Sequence, residues 1–185
     1  MSVHSQNPLI INGWTIYAHP LFLDQLESLI ADVESLRENN PQGYLKKNAA
    51  KRLAAVVKLA FELIPQDPHR PEYRQGKTLG TARKHWFRAK FFQQYRLFFR
   101  FHQRGRIIVY AWVNDEQCKR AFESKHDAYR VFQKMLENGH PPEDWEALLN
   151  QAMSEVKRMH ESLSALKLAP PATQIVAPVK KVDLT

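Results

Sequence analysis

The 185-residue chain is 44% hydrophobic and 25% charged, ordinary globular proportions that fit one domain with short appendages, and its twenty aromatics can fill a core unaided. Its one cysteine, Cys118, excludes an intrachain disulfide framework. No apolar run approaches the roughly 18 residues of a spanning helix and Met1-Ser2-Val3-His4 does not open a secretory signal, so membrane insertion is excluded and the cytoplasm is the expected location. The net charge of +8 is uneven: residues 70–106 hold eleven Lys or Arg against one acid, Glu72. Clustering of that kind favours a polyanion, because phosphate-bound cations release condensed counterions.

Residues 14–18 are β-branched and aromatic and predict a short strand, after which Pro20 fits the first turn of a helix. Phe22, Leu26, Leu29, Val33 and Leu36 recur at helical spacing up to Asn39-Asn40-Pro41. A second helix is expected from Pro41, with Ala49, Leu53, Val56, Ala60, Phe61 and Ile64 as its apolar stripe and Pro65 as its end. Residues 66–84 form a long basic loop; within it Gly76-Lys77-Thr78 echoes a phosphate-binding loop but lacks the preceding strand and the earlier glycine. Three strands follow at 85–92, 95–102 and 106–113, and their short links force antiparallel pairing. A helix over 127–138, closed by Gly139, precedes one carrying Trp145, Leu148, Leu149, Ala152 and Val156. The expected division is an N-terminal extension over 1–11, a folded domain over 12–160 and a disordered tail over 161–185.

Alternation along the strands puts Phe87, Ala89, Phe91, Tyr95, Leu97, Phe99 and Phe101 on one face, which the two N-terminal helices are expected to cover. Arg88, Lys90, Arg96, Arg100 and His102 then share the other face with Trp86, Tyr110, Trp112 and Asn114. Guanidiniums grip phosphate bidentately and exposed rings stack on unpaired bases, so this face reads as a surface for single-stranded RNA. A charged face kept only for solubility is the bland alternative.

Trp86-Phe87-Arg88-Ala89-Lys90-Phe91 with Tyr95-Arg96-Leu97-Phe98-Phe99-Arg100 resembles the strand pair of RelE-type toxins. Asn12-Gly13-Trp14, Tyr17-Ala18-His19-Pro20, Trp112-Val113-Asn114-Asp115-Glu116, Asp127-Ala128-Tyr129 and Gly139-His140-Pro141-Pro142 with Asp144-Trp145 resemble the YhaV branch of that superfamily, over about residues 12–149. The resemblance implies an α+β, RelE-like fold: two N-terminal helices on a small, mainly antiparallel sheet, with C-terminal helices. It implies the toxin of a type II toxin–antitoxin pair, a metal-independent RNA endonuclease (an mRNA interferase) that needs no cofactor and blocks translation, in some cases at the ribosome. It also implies a PrlF-like antitoxin whose AbrB-type swapped hairpin binds operator DNA, so that the complex represses its own promoter.

In such enzymes the RNA 2′-OH attacks the adjacent phosphate, leaving a cyclic phosphate and a 5′-OH. By resemblance Arg88 and Arg96 clamp the phosphate, Lys90 serves as clamp or base, Arg120 is the arginine after the third strand, and Tyr129 stacks a base, aids proton transfer or packs the helix. Trp86, Arg100, His102, Tyr110, Trp112, Asn114, Lys119 and Lys125 are the expected RNA-binding set. His85, His102, His126 and His140 are alternative bases, His102 best placed. Asp115 with Glu123 and Lys125 echoes metal-dependent nucleases, although Asp115 serves equally well as a turn cap and residues 116–126 are polar and strand-poor. Cys118 has no evident base and is read as inert. A non-catalytic RNA or ribosome binder remains a second reading of the same face.

Overall fold

The structure, a computed structural model, describes residues 7–168. Asn12 and Gly13, both at positive φ (51° and 79°), make the tight hairpin that joins β1 (Leu9–Ile11) to β2 (Trp14–Ala18). The sheet therefore starts inside the segment expected to be an extension. His19 caps α1 (Pro20–Asn39) through Nδ1, which accepts the Leu21 N–H at 3.2 Å, and Pro20 takes the first helical position, where no N–H is needed.

The second helix starts later than Pro41. The Asn40 side chain accepts the Gly43 N–H at 2.9 Å and closes a local turn that competes with helix formation. A 3₁₀ turn (Tyr44–Lys46) follows, then α2 (Asn48–Lys58), a π-helical turn (Leu59–Leu63) and the single turn α3 (Ile64–Gln66). Pro65 explains the widening. It has no N–H to donate, and the Ile64 N–H reaches back to the Leu59 carbonyl, which leaves the Ala60 carbonyl for the Tyr110 hydroxyl.

β3 (Phe87–Phe91), β4 (Tyr95–His102) and β5 (Ile107–Val113) form the expected antiparallel meander. The sheet order is β1-β2-β5-β4-β3, with β2 and β5 parallel. One face carries the core of Phe91, Leu97, Phe99 and Tyr110 beneath α1 and α2, joined by Met159 of α6 (Val156–Leu168). α6 runs on past 161, where a tail was expected to begin; residues 169–185 of that expected tail lie outside the described residues.

The other face is not open. α4 (Ala128–Glu137) lays Phe132 between Phe98 (4.1 Å, stacked), Trp112 (5.9 Å, stacked) and Trp86 (5.1 Å, edge-on), and α5 (Trp145–Met153) adds Leu148 and Ala152 to this second core. Trp86 and Trp112, expected to be exposed, are 0% and 5% accessible. Tyr110 is 0% accessible and faces the opposite way, because Phe98 pairs with Trp112 while Phe99 pairs with Tyr110. Ala111 is the extra residue of a β-bulge, and one extra residue reverses the alternation. From these positions none of the three rings reaches a nucleobase. No helix among the described residues is long and apolar enough to cross a membrane.

Trp86 gives a direct check. Its indole N–H is buried without an acceptor, an omission that costs about 1–3 kcal/mol. Trp86→Phe removes that donor together with part of the ring, so a melting curve is expected to place its stability within about 1 kcal/mol of the parent.

Candidate active site

Lys90 stands directly across from Arg96 on the neighbouring strand, and Arg88 lies two residues from Lys90 on the same face. Three cations side by side oppose folding, since like charges across a strand pair repel. They are tolerated because of what α4 brings. Asp127 caps that helix: Oδ2 accepts the Tyr129 N–H at 3.1 Å, while Oδ1 accepts the Ala121 N–H at 2.8 Å and pairs with Arg120 at 2.5 Å. Tyr129, in the first turn, thereby drops onto the strands.

The Tyr129 hydroxyl accepts Nε–H of Arg88 at 2.8 Å and Nε–H of Arg96 at 3.1 Å. Arg88 also donates from Nη1 to the Glu72 carbonyl, and Arg96 from Nη1 to the Gln93 and Tyr95 carbonyls at 2.7 Å each. Each guanidinium keeps part of its five-donor fork for another acceptor. Arg120 sits 5.1 Å over the Tyr129 ring and Arg96 5.7 Å from it, so the phenol is wrapped by cations. Arg88 and Arg96 are 7% and 6% accessible, Lys90 and Arg120 are half-buried, and solvent meets the cluster chiefly through the latter two. The neighbouring Arg88 charge, then burial, then Arg96 and Arg120 hold the Lys90 ammonium below its ordinary range. Burial likewise lowers Arg96.

The turn between β3 and β4 is shaped to serve the cluster. Phe92 and Gln93 both have positive φ (45° and 61°), uncommon for side-chain-bearing residues, and the Gln93 and Gln94 carbonyls are taken up by Arg96 and by the Arg120 N–H (2.8 Å). Asn114 locks the arrangement. Its Oδ1 accepts the Arg96 N–H at 2.6 Å, and its Nδ2 donates to the Gln94 and Cys118 carbonyls at 3.0 and 2.8 Å. Expected to touch RNA, Asn114 is instead fully buried and positions the site. Asn114→Ala removes three hydrogen bonds, to the Arg96 N–H and to the Gln94 and Cys118 carbonyls, and is expected to cost about 2–3 kcal/mol in chemical denaturation.

The remaining expected site residues divide by location. Lys119 pairs with Glu116 at 2.6 Å, and Glu116 also binds Asn48, Arg52 and Tyr95, tying the post-strand segment to α2. Lys125 is exposed on the same segment. Asp115 caps the 3₁₀ turn Glu116–Cys118 by accepting the Gln117 and Cys118 N–H groups, and Glu123 lies in an irregular stretch, so the acidic pattern does not end adjacent strands. Among the described residues no three His, Cys, Asp or Glu side chains converge as metal ligands would.

Arg100 and His102 lie toward the far end of β4. Four residues from Arg96 spans about 13 Å of strand, and Arg100 there donates to the Glu143 carbonyl at 2.6 Å between the rings of Trp86 and Trp145. His102 stacks on Trp145, and its Nδ1 accepts the Gly105 N–H. His85 leans on Trp86, burial lowering its pKa; His126 and His140 are exposed. The structure thus brings Arg88, Lys90, Arg96, Arg120 and Tyr129 together, with Asp127 and the Glu72 carbonyl beside them. In the sequence Asp127 enters only through the Asp127-Ala128-Tyr129 motif and as the start of the helix over 127–138. The Glu72 carbonyl had no sequence signal, because backbone acceptors look alike in every loop.

Residues 16–153 match the model of a family described as a toxin with endonuclease activity, of a toxin–antitoxin system. The chain is 45% identical over 146 residues to the toxin YhaV of Escherichia coli O6:H1, covering 78% of this chain and 95% of that protein. The ribonuclease toxin YhaV of Escherichia coli strain K12 shows the same identity and coverage. No solved structure is a significant match.

Proposed function

From the premise that the chain belongs to the YhaV family of toxins with endonuclease activity, of toxin–antitoxin systems, we propose that it is an RNA endonuclease whose chemistry is carried by Arg88, Lys90, Arg96, Arg120 and Tyr129. The observation that carries this reading is the meeting of two guanidiniums on one tyrosine hydroxyl with a lysine across the strand from one of them. Such a group suits a phosphodiester that becomes more negative as it reacts.

In the proposed reaction Lys90, as the neutral amine, takes the proton of the 2′-OH. The 2′-oxygen bonds to phosphorus, and Arg88, Arg96 and Arg120 neutralise the equatorial oxygens. The bond to the 5′-oxygen then breaks, and Tyr129 supplies that oxygen with a proton. Tyr129 is arranged for this, because both lone pairs of its hydroxyl receive guanidinium N–H bonds and its own proton is left for a third partner. The products are a 2′,3′-cyclic phosphate and a 5′-OH. The chain's resemblance to YhaV toxins further supports mRNA as the target, met in the cytoplasm and in some cases on the ribosome, and a PrlF-like antitoxin through which the complex binds its operator.

The test is incubation of the purified chain with single-stranded RNA, and with translating ribosomes, with and without EDTA. Cleavage that survives chelation and leaves cyclic phosphate ends is the expected result; cleavage abolished by EDTA transfers the chemistry to a metal ion. The pH dependence tests Lys90 separately. The rate is expected to rise with pH and level off below the range of an exposed lysine, and Lys90→Gln is expected to lose that rising limb. The stability effect has the opposite sign. A lysine whose folded pKa is lowered disfavours folding while it is charged, and the penalty disappears above its unfolded value of about 10.4. Lys90→Gln should therefore melt above the parent at neutral pH, by a few tenths to about 1 kcal/mol, with the gap closing in strong alkali.

A further inference from the structure

Of the Phe, Tyr and Trp side chains in the described residues Phe122 is the one left exposed, at 80% accessibility. A lone phenylalanine in water contributes nothing to the core, and here it is held in place. The Ala121 N–H is bound by Asp127 Oδ1, the Ser124 N–H by the Ala121 carbonyl and the Asp127 N–H by the Ser124 carbonyl, a chain of bonds that sets the turn carrying Phe122 on the cap of α4. Arg120 lies 5.6 Å over the Phe122 ring and 5.1 Å over the Tyr129 ring, so one guanidinium links the exposed ring to the cation cluster. Lys119, Lys125 and His126 flank it. The rings that alternation pointed to as base-stacking surfaces, Trp86, Tyr110 and Trp112, are buried, as is the Tyr129 ring beneath its two arginines.

We propose that Phe122 is the stacking platform for an unpaired nucleobase beside the scissile phosphate, and that it makes the site selective for RNA that is unstacked at that step. This rests on the reading of the site as an RNA endonuclease. An aromatic face accepts a base through stacking, while Arg120, beneath the ring and beside Tyr129, meets the phosphate that follows. A base held in a duplex is stacked on its neighbours and is not free to lie on the ring. The same positions therefore disfavour double-stranded substrate.

The decisive experiment is a four-corner comparison on a single-stranded RNA whose cut site has been mapped. Single-turnover cleavage is measured for the parent and for Phe122→Ala, on the intact RNA and on RNAs with one abasic nucleotide on either side of the cut. Phe122→Ala is expected to lose about 10- to 100-fold on intact RNA, and Phe122→Trp to keep parent activity. An abasic nucleotide at the stacked position is expected to cost the parent a similar factor and to cost Phe122→Ala little, because the two changes remove one contact. Since the ring is exposed, the melting temperature should not move. Independent, additive losses, or a Phe122→Ala enzyme as fast as the parent, would overturn the assignment while leaving the endonuclease reading intact. A parent protein that neither cleaves nor binds RNA, alone or with ribosomes, overturns both.

Discussion

Tyr129→Phe is expected to lower RNA cleavage by about 100- to 10,000-fold, the range associated with removing a positioned acid. The substitution deletes one oxygen and keeps the ring, so the edge-on contact with Phe98 and the cation contacts of Arg96 and Arg120 persist. Two guanidiniums lose their shared acceptor at the same time. To separate proton donation from arginine positioning, cleavage is measured on RNA whose scissile 5′-oxygen is replaced by sulfur. A thiolate leaves without a proton. If Tyr129 is the acid, the variant should recover most of its deficit on that substrate; if it only positions the arginines, the deficit should remain. A Tyr129→Phe protein that cleaves ordinary RNA at the parent rate would remove the residue from the mechanism.

Arg88→Ala is expected to lose about 100- to 1,000-fold in single-turnover rate, the typical consequence of deleting one preorganised donor to a developing anion. Arg88→Lys is expected to fare little better. A lysine has no planar fork, so it cannot bond the Tyr129 hydroxyl and the Glu72 carbonyl together while offering a further donor to phosphate. Both changes weaken the bonding of the Glu72 carbonyl and the Tyr129 hydroxyl, so circular dichroism and a melting curve must accompany the rates. Added guanidinium ion at millimolar concentration should restore part of the activity to Arg88→Ala and none to Arg88→Lys, whose side chain still fills the site. Parent-like cleavage by Arg88→Ala would mean that the phosphate is clamped elsewhere. The Arg88→Ala variant also reports on Lys90: with the largest charge acting on the lysine removed, the rising limb of any residual rate should shift to higher pH.

The meander, the two helices that cover its apolar face, and the presence of Arg88, Lys90 and Arg96 on one side of adjacent strands are legible in the order of residues alone. Those features follow from a twofold alternation and short links that leave the chain few choices, and the pairing of Lys90 with Arg96 expresses them. The family resemblance is legible there too, because long runs such as Trp86-Phe87-Arg88-Ala89-Lys90-Phe91 keep their order in the chain. What lies over the second face depends on packing between distant segments. Local pattern marks a ring as facing one side of a sheet; whether that side meets water or Phe132 of α4 depends on a helix that returns some thirty residues later. The bulge at Ala111, which sends Tyr110 and Trp112 to opposite faces, likewise arises from pairing with a neighbouring strand and leaves no periodic trace in β5 itself. Burial then sorted the cations. Arg88 and Arg96 converge on one hydroxyl because the Asp127 cap fixes where Tyr129 enters the sheet, whereas Arg100, on the same face, is drawn between Trp86 and Trp145. A site built from three separated segments is a property of distances, and distances between segments are set by packing.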